Sequence, residues 1–231
     1  GTNQNTRKSL IEKSEENTNK SNTTFSKEVI DLWNPSDLEV AKFERILTPK
    51  WKNKWAESKI IHGERILDGI PFKNKWKVLE IGCGIGRLVS EFSKTFDFVE
   101  GVDFSESMIA FTNEYLKDYE NCRVHLNNGV DLSNLHSNEY DFVYSMITFQ
   151  HIDSKQVIES YIREIHRVLK KSGYIKLQFM TPSLNSMKDW GTRRGYDFTS
   201  NEELLELFSE FNVELEIDST QKKWVWVRGQ V

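Results

Sequence analysis

Residues 78–87 read Val-Leu-Glu-Ile-Gly-Cys-Gly-Ile-Gly-Arg, and Glu-Gly-Val-Asp-Phe-Ser follows at 100–105. No other stretch narrows the possible folds as far. Val78–Ile81 is an apolar run broken by one acid, Glu80, and predicts a buried strand. Gly82, Gly84 and Gly86 follow at alternate positions, so the backbone there turns tightly and presents no Cβ to a neighbour or ligand. Leu88, Val89 and Phe92 then open an amphipathic helix. A strand, a glycine turn and a helix start in immediate succession make a nucleotide-type site. Asp103, at the end of the next strand, suits a ribose diol.

The surrounding pattern alternates strands with helices. Strands are expected at 76–81, 97–103, 122–126, 140–146 and 173–180, and helices at 86–95, 105–118 and 154–170. Such alternation implies right-handed crossovers and a mostly parallel sheet, with 140–146 at its centre. The end differs. A helix at Asn201–Phe211 precedes strands at Val213–Ile217 and Lys223–Arg228. The link Asp218-Ser219-Thr220-Gln221 is too short for a crossover helix, so these strands must be antiparallel. The fold class is therefore α/β: a Rossmann-like, doubly wound, seven-stranded, mostly parallel sheet with a C-terminal antiparallel hairpin, plus N-terminal helices.

Residues 1–27 are rich in Asn, Thr, Ser, Lys and Glu and read as a flexible polar tail. Residues 28–72 read as a helical cap or lid. In it Pro35-Ser36 signals a helix start, Phe43, Ile46 and Leu47 share one face, and Trp51 and Trp55 lie four apart. Residues 73–231 carry the ligand-binding domain. The net charge is −4, which gives no electrostatic case for nucleic acid. Cys83 and Cys122 have no metal-type spacing, and two thiols suit a reducing compartment. No apolar run approaches the ~20 residues of a membrane span and no signal peptide is visible, so a cytoplasmic location is expected, as a monomer or small homo-oligomer.

The dinucleotide fingerprint is G-x-G-x-x-G. Here the spacing is Glu80-x-Gly82-x-Gly84-x-Gly86, which resembles motif I of the class I S-adenosylmethionine-dependent methyltransferases. The resemblance covers residues 59–231 and is closest to the small-molecule, ubiquinone/menaquinone-type branch. Gly101-Val102-Asp103-Phe104-Ser105-x-x-Met108 resembles the second-strand motif, with Ser105 a plausible N-cap. Arg163-Glu164-x-x-Arg167-Val168-Leu169-Lys170-Lys171-x-Gly173 resembles the segment before the fifth strand. The resemblance implies S-adenosyl-L-methionine as cofactor. It implies Gly82, Cys83 and Gly84 along the methionine and ribose, and Glu80 orienting the loop or the ligand ammonium. Asp103 falls on the ribose, Phe104 and Met108 on the adenine faces, and the Met146 carbonyl on the ammonium. Relatives carry Asp beside Gly at the adenine stretch. Here Asn128-Gly129-Val130 stands in that place, with Asn128 as the adenine contact and Asp131 as rival.

Methyl transfer from a sulfonium needs alignment above all, and a base only if the acceptor is protonated. Thr148-Phe149-Gln150-His151 follows the fourth strand. His151 is the candidate catalytic base, the alternative being a structural His. Gln150, Trp190, Arg193 and Arg194 are candidate substrate contacts, the arginines as a clamp for phosphate or carboxylate or simply a solvated turn. Trp51 and Trp55 either roof the pocket or pack a helix. No acidic pair follows the fifth strand, so no metal is expected. The expected activity is methyl transfer to an oxygen or nitrogen of a small-molecule acceptor. The alternative is a catalytically silent binding protein of the same fold.

Overall fold

The computed structural model describes residues 27–34, 54–182, 195–219 and 222–231. Nearly all of the polar tail, the helix start at Pro35-Ser36, and Trp51, Trp190, Arg193 and Arg194 lie outside them. Among the described residues two helices come first, α1 (Lys27–Trp33) and α2 (Trp55–Leu67). Next come β1 (Lys77–Ile81), α3 (Arg87–Phe92), β2 (Phe98–Asp103), α4 (Glu106–Tyr115), β3 (Cys122–Leu126) and β4 (Tyr140–Ser145). The chain closes with α5 (Lys155–Val168), β5 (Leu169–Met180), α6 (Asn201–Glu206), β6 (Asn212–Ile217) and β7 (Trp224–Gln230).

The seven strands form one sheet in the order β3-β2-β1-β4-β5-β7-β6. The β1–β2, β1–β4, β2–β3 and β4–β5 pairs are parallel. β7 runs antiparallel to both β5 and β6, as the short link requires. Strand order runs outward from β1 to β3 and then returns to the other side of β1 at β4. The segments that leave the carboxyl ends of β1 and β4 therefore depart in opposite directions, and a parallel sheet opens its ligand crevice at such a reversal.

Alternation along β4 builds both faces of the core. Val143 joins a cluster with Leu79, Ile175 and the buried side of α5. Phe142 and Tyr144 join a second cluster with Val89 and Phe92 of α3, Ile109 of α4 and Ile66 of α2. Helix α5 buries Val157, Ile158, Tyr161, Ile162, Ile165 and Val168, a 3.6-residue repeat. Serine caps start three helices. Ser105, Ser154 and Ser200 accept from the amides of Met108, Val157 and Glu203, each capable of contributing ~1 kcal/mol.

Two boundaries differ most from expectation. β5 begins at Leu169 instead of 173, because Leu169 pairs with Tyr140 across a register shift. The last helix stops at Glu206. Beyond it Leu207, Phe208 and Phe211 donate to carbonyls three residues back, so the apolar spacing continues through tighter turns that are no longer α-helical.

A charged cluster ties four strands together away from the crevice. Glu100 of β2, only 6% exposed, accepts from Tyr140 Oη at 2.5 Å, Lys77 Nζ at 2.8 Å and His125 Nε2 at 3.0 Å. Burial alone would raise its pKa, but the bonds from His125, Lys77 and Tyr140 outweigh that and hold it near 2, against an ordinary 4.5. A carboxyl depressed on folding stabilises the protein above pH 4.5, and that stabilisation is lost as pH falls towards 2. Across that interval the protein should lose on the order of 3 kcal/mol more than its Glu100→Gln variant. Chemical denaturation of both proteins between pH 5 and 2 measures the difference; parallel curves would contradict it.

Candidate functional site

The crevice between β1 and β4 opens into a cavity of about 120 Å³. Its floor is the glycine turn. The amides of Gly82 and Cys83 both donate to the Val102 carbonyl, at 2.8 and 3.0 Å, which folds the turn back onto β2. Gly82 has φ of +73°, a conformation that a Cβ makes costly. A Cβ there would also lie 2.3 Å from Thr148 Oγ1. Thr112 Oγ1 donates to the Gly84 carbonyl at 2.8 Å, locking the turn to α4.

Two carboxylates face this cavity. Asp103 Oδ2 accepts from the Gly84 amide at 2.8 Å and Oδ1 from the Ser105 amide at 3.0 Å. Burial raises its pKa above the ordinary value, while the Ser105 and Gly84 amides pull it down. Glu80 is 3% exposed and accepts from Tyr144 Oη at 3.2 Å. Burial pushes its pKa up to about 8, opposed by the Arg87 charge and the Tyr144 hydroxyl. Between them lies the Cys83 thiol, whose pKa burial and both carboxylates drive up. It is a neutral wall, not a nucleophile.

The far wall comes from the segment after β4. Ser145 Oγ donates to the Ile81 carbonyl at 2.8 Å, clamping the ends of the two strands. Ile147 has φ of +59°, which for a β-branched residue is strained backbone. Its amide is held by Gln178 Oε1 at 3.1 Å. This kink turns Met146, Thr148 and His151 towards the cavity. Gln150 Nε2 donates to His151 Nε2 at 2.8 Å, leaving that nitrogen as an acceptor. Helix α1 closes the top. The Trp33 indole lies 4.4 Å from the His151 ring, centre to centre, and lines the cavity. Asn34 Oδ1 accepts from Ser105 Oγ at 3.1 Å and Ser107 Oγ at 3.2 Å, fastening α1 to the start of α4.

Of the residues singled out in the sequence, Glu80, Gly82, Cys83, Gly84, Asp103, Phe104, Met108, Met146 and His151 all line this one cavity. Asn128, Gly129 and Val130 do not. Asn128 is exposed, and its side chain closes its own loop through the Val130 amide and Asp131. Its neighbour Asn127 faces the cavity instead. Asn127 is 8% exposed and donates to Tyr161 Oη at 3.1 Å and to the Asp131 carbonyl at 2.8 Å. Strand alternation decides this. Asn127 continues β3 by donating its amide to the Asp103 carbonyl, so adjacent asparagines point to opposite sides. Trp55 is also absent from the cavity wall; it meets Tyr115 edge-on at 6.2 Å, as a helix-packing residue. Gln150 reaches the cavity only through His151. Trp33, Arg87, Asn127, Thr148 and Tyr161 were not anticipated; only Arg87, directly after the last glycine, carried any signal.

Residues 78–173 match the family model described as a methyltransferase domain. The chain is 31% identical over 115 residues to a probable S-adenosyl-L-methionine-dependent methyltransferase, TehB, of Haemophilus influenzae, covering 49% of this chain and 39% of that one. It is 32% identical over 129 residues to phosphoethanolamine N-methyltransferase 1 of Arabidopsis thaliana, covering 52% of this chain and 25% of that one. The chain thus spans less than half the length of these curated relatives. A solved S-adenosylmethionine-dependent methyltransferase from Aquifex aeolicus superposes with a TM-score of 0.63 at 19% identity, over 83% of this chain and 97% of the other. The fold is shared.

Proposed function

We propose, on the premise that residues 78–173 are a class I S-adenosylmethionine-dependent methyltransferase domain, that this chain methylates an oxygen or nitrogen of a small-molecule acceptor. We place it in the small-molecule, ubiquinone/menaquinone-type branch. The observation that carries the reading is that Glu80 and Asp103, from different strands, face one cavity floored by side-chain-free backbone. The donor set fits S-adenosylmethionine: an acid for a sugar diol, an acid for an ammonium, and a glycine turn that a Cβ would fill.

When bound, that cofactor supplies a methyl group already activated by the sulfonium charge, for in-line displacement. The chain's own residues do the rest. Asp103 holds the ribose hydroxyls while its second oxygen keeps the turn in shape. Asn127, not Asn128, offers the polar edge at the adenine end, with Phe104 and Met108 against the ring. Glu80 takes the ammonium. His151 Nε2 accepts the acceptor's proton, exchanging it for the Gln150 bond that orients the ring. Trp33 and α1 form the lid, and a roof of indole excludes water from the transfer. The acceptor named for one relative, a phosphoethanolamine, supports a small-molecule acceptor.

Turnover of radiolabelled S-adenosylmethionine against a panel of phenols, amines and hydroxy acids tests the activity. His151→Gln should lower kcat by about 10²–10⁴-fold and leave S-adenosylhomocysteine affinity within threefold of wild type. Full turnover by that variant would remove the base. Failure of the wild type to bind S-adenosylhomocysteine would remove the whole reading.

A further inference from the structure

Ile147 keeps a left-handed backbone, φ +59°, in the wall of the cavity. A side chain disfavours that conformation by a factor of about 5–30, so something must hold it. The sheet does not: pairing of β4 with β5 ends at Ser145 opposite Leu177, and the Ile147 amide lies beyond it. The hold comes from the next residue of β5. Leu177 and Phe179 join the cluster under α5, so Gln178 points to the other face, where Tyr144, Met146 and Trp226 lie. There its Oε1 accepts from the Ile147 amide at 3.1 Å. The orientation is forced, because a backbone amide can only donate. It leaves Nε2 buried with no partner among the described residues, in a residue only 2% exposed. A bond gained and a donor stranded are contributions of similar size and opposite sign. Gln178 therefore adds little to stability, and what it adds is the shape of the neighbouring segment.

We propose that Gln178 is a positioning residue: it is not in the cavity wall, and it acts by holding Ile147 in the kink that presents Met146, Thr148 and His151 to the cavity. This rests on the cofactor reading above and extends the site one layer outward, from β1 and β4 to β5. The kink carries straight on into the site. Thr148, next in the chain, donates towards the Ile81 and Met146 carbonyls at 3.3 Å, and its own carbonyl accepts from the His151 amide at 2.9 Å. If Ile147 relaxes to an extended backbone, Thr148 leaves Gly82 and His151 turns with it. One oxygen on β5 therefore sets the wall opposite the glycine turn.

A double-substitution cycle tests this, read as S-adenosylhomocysteine affinity by calorimetry. Gln178→Met keeps the volume and removes the oxygen. The segment should then spend most of its time out of the left-handed state, and affinity should fall about 5–30-fold, the factor that the strain sets. In an Ile147→Gly background the backbone needs no hold, since glycine takes positive φ freely. There the added Gln178→Met should cost less than about threefold. An equal loss in both backgrounds makes Gln178 a packing residue and overturns the assignment, and so does no loss in either. Amide hydrogen exchange on the wild type gives a second reading, which stands even if Gln178→Met fails to fold. The Ile147 amide should be protected about as strongly as that of Ser145 in β4; exchange at the rate of an unstructured chain overturns the assignment. A wild type that does not bind S-adenosylhomocysteine removes the cofactor reading, while exchange at Ile147 still decides the role of Gln178.

Discussion

Gly82→Ala should lose S-adenosylhomocysteine affinity by more than about a hundredfold and destabilise the protein by roughly 2–4 kcal/mol. Two independent costs add. The backbone at Gly82 sits at φ +73°, where an L side chain costs roughly 1–2 kcal/mol. The new Cβ would also meet Thr148 Oγ1 at 2.3 Å and Cγ2 at 2.4 Å. Thr148 cannot simply rotate away, because its hydroxyl donates towards the Ile81 and Met146 carbonyls at 3.3 Å. The turn must move, and the ligand floor moves with it. The two costs separate experimentally. Thr148→Ala removes the two nearest clashing atoms, so Gly82→Ala/Thr148→Ala should recover part of the lost stability and leave the dihedral cost. Denaturant unfolding gives the first quantity and calorimetric titration the second. Near-wild-type affinity in Gly82→Ala would show that the turn is not the binding floor.

Glu80→Gln should move stability and binding in opposite directions. In the folded protein burial lifts the Glu80 pKa to about 8, against an ordinary 4.5. Below pH 4.5 the group is protonated whether the chain is folded or not, and it adds no penalty. From 4.5 to 8 the unfolded chain gives up the proton while the folded chain keeps it, so folding loses ground with each unit of pH. Above 8 the penalty is complete. The amide never ionises. Glu80→Gln should therefore match wild type near pH 4 and exceed it by several kcal/mol, on the order of 3–5, above pH 8. On the proposed role the same substitution removes the group that, ionised above pH 8, would hold the ammonium, and affinity there should fall about 10–100-fold. Melting curves across pH 4–9, set beside titrations at pH 8, read both signs. A variant that is less stable than wild type at pH 8 would show that Glu80 is better solvated than its burial implies.

How far the site is legible from residues alone depends on what fixes each one. Glu80, the three glycines and Asp103 are set by local chain geometry: a buried strand, a turn that needs positive φ, and a strand end. Each leaves a mark at short range. Ser105 was legible for the same reason, since an N-cap is defined by its own helix. Asn128 was not. Whether residue 127 or 128 points inward depends on where β3 stops pairing with β2, and that register is decided by the neighbouring strand. Trp33 lies 118 positions before His151 in the chain, yet their rings touch. No periodicity connects them. Trp55 has the spacing of a roof residue, but α2 packs it towards Tyr115 of α4.

From its residues the chain prescribes a doubly wound sheet, the closing hairpin, the glycine floor and the two acids upon it. These follow from dihedral preference, hydrophobic period and loop length, all properties of contiguous chain. Only the folded molecule decided that α1 covers the floor, that Arg87 stands buried beside Ser58 and His62 with no carboxylate paired to it among the described residues, and that Asn127 lines the cavity while Asn128 does not. Such choices are settled by burial and charge among segments far apart in the chain, where the free energy belongs to the assembled pocket and to no single stretch of it.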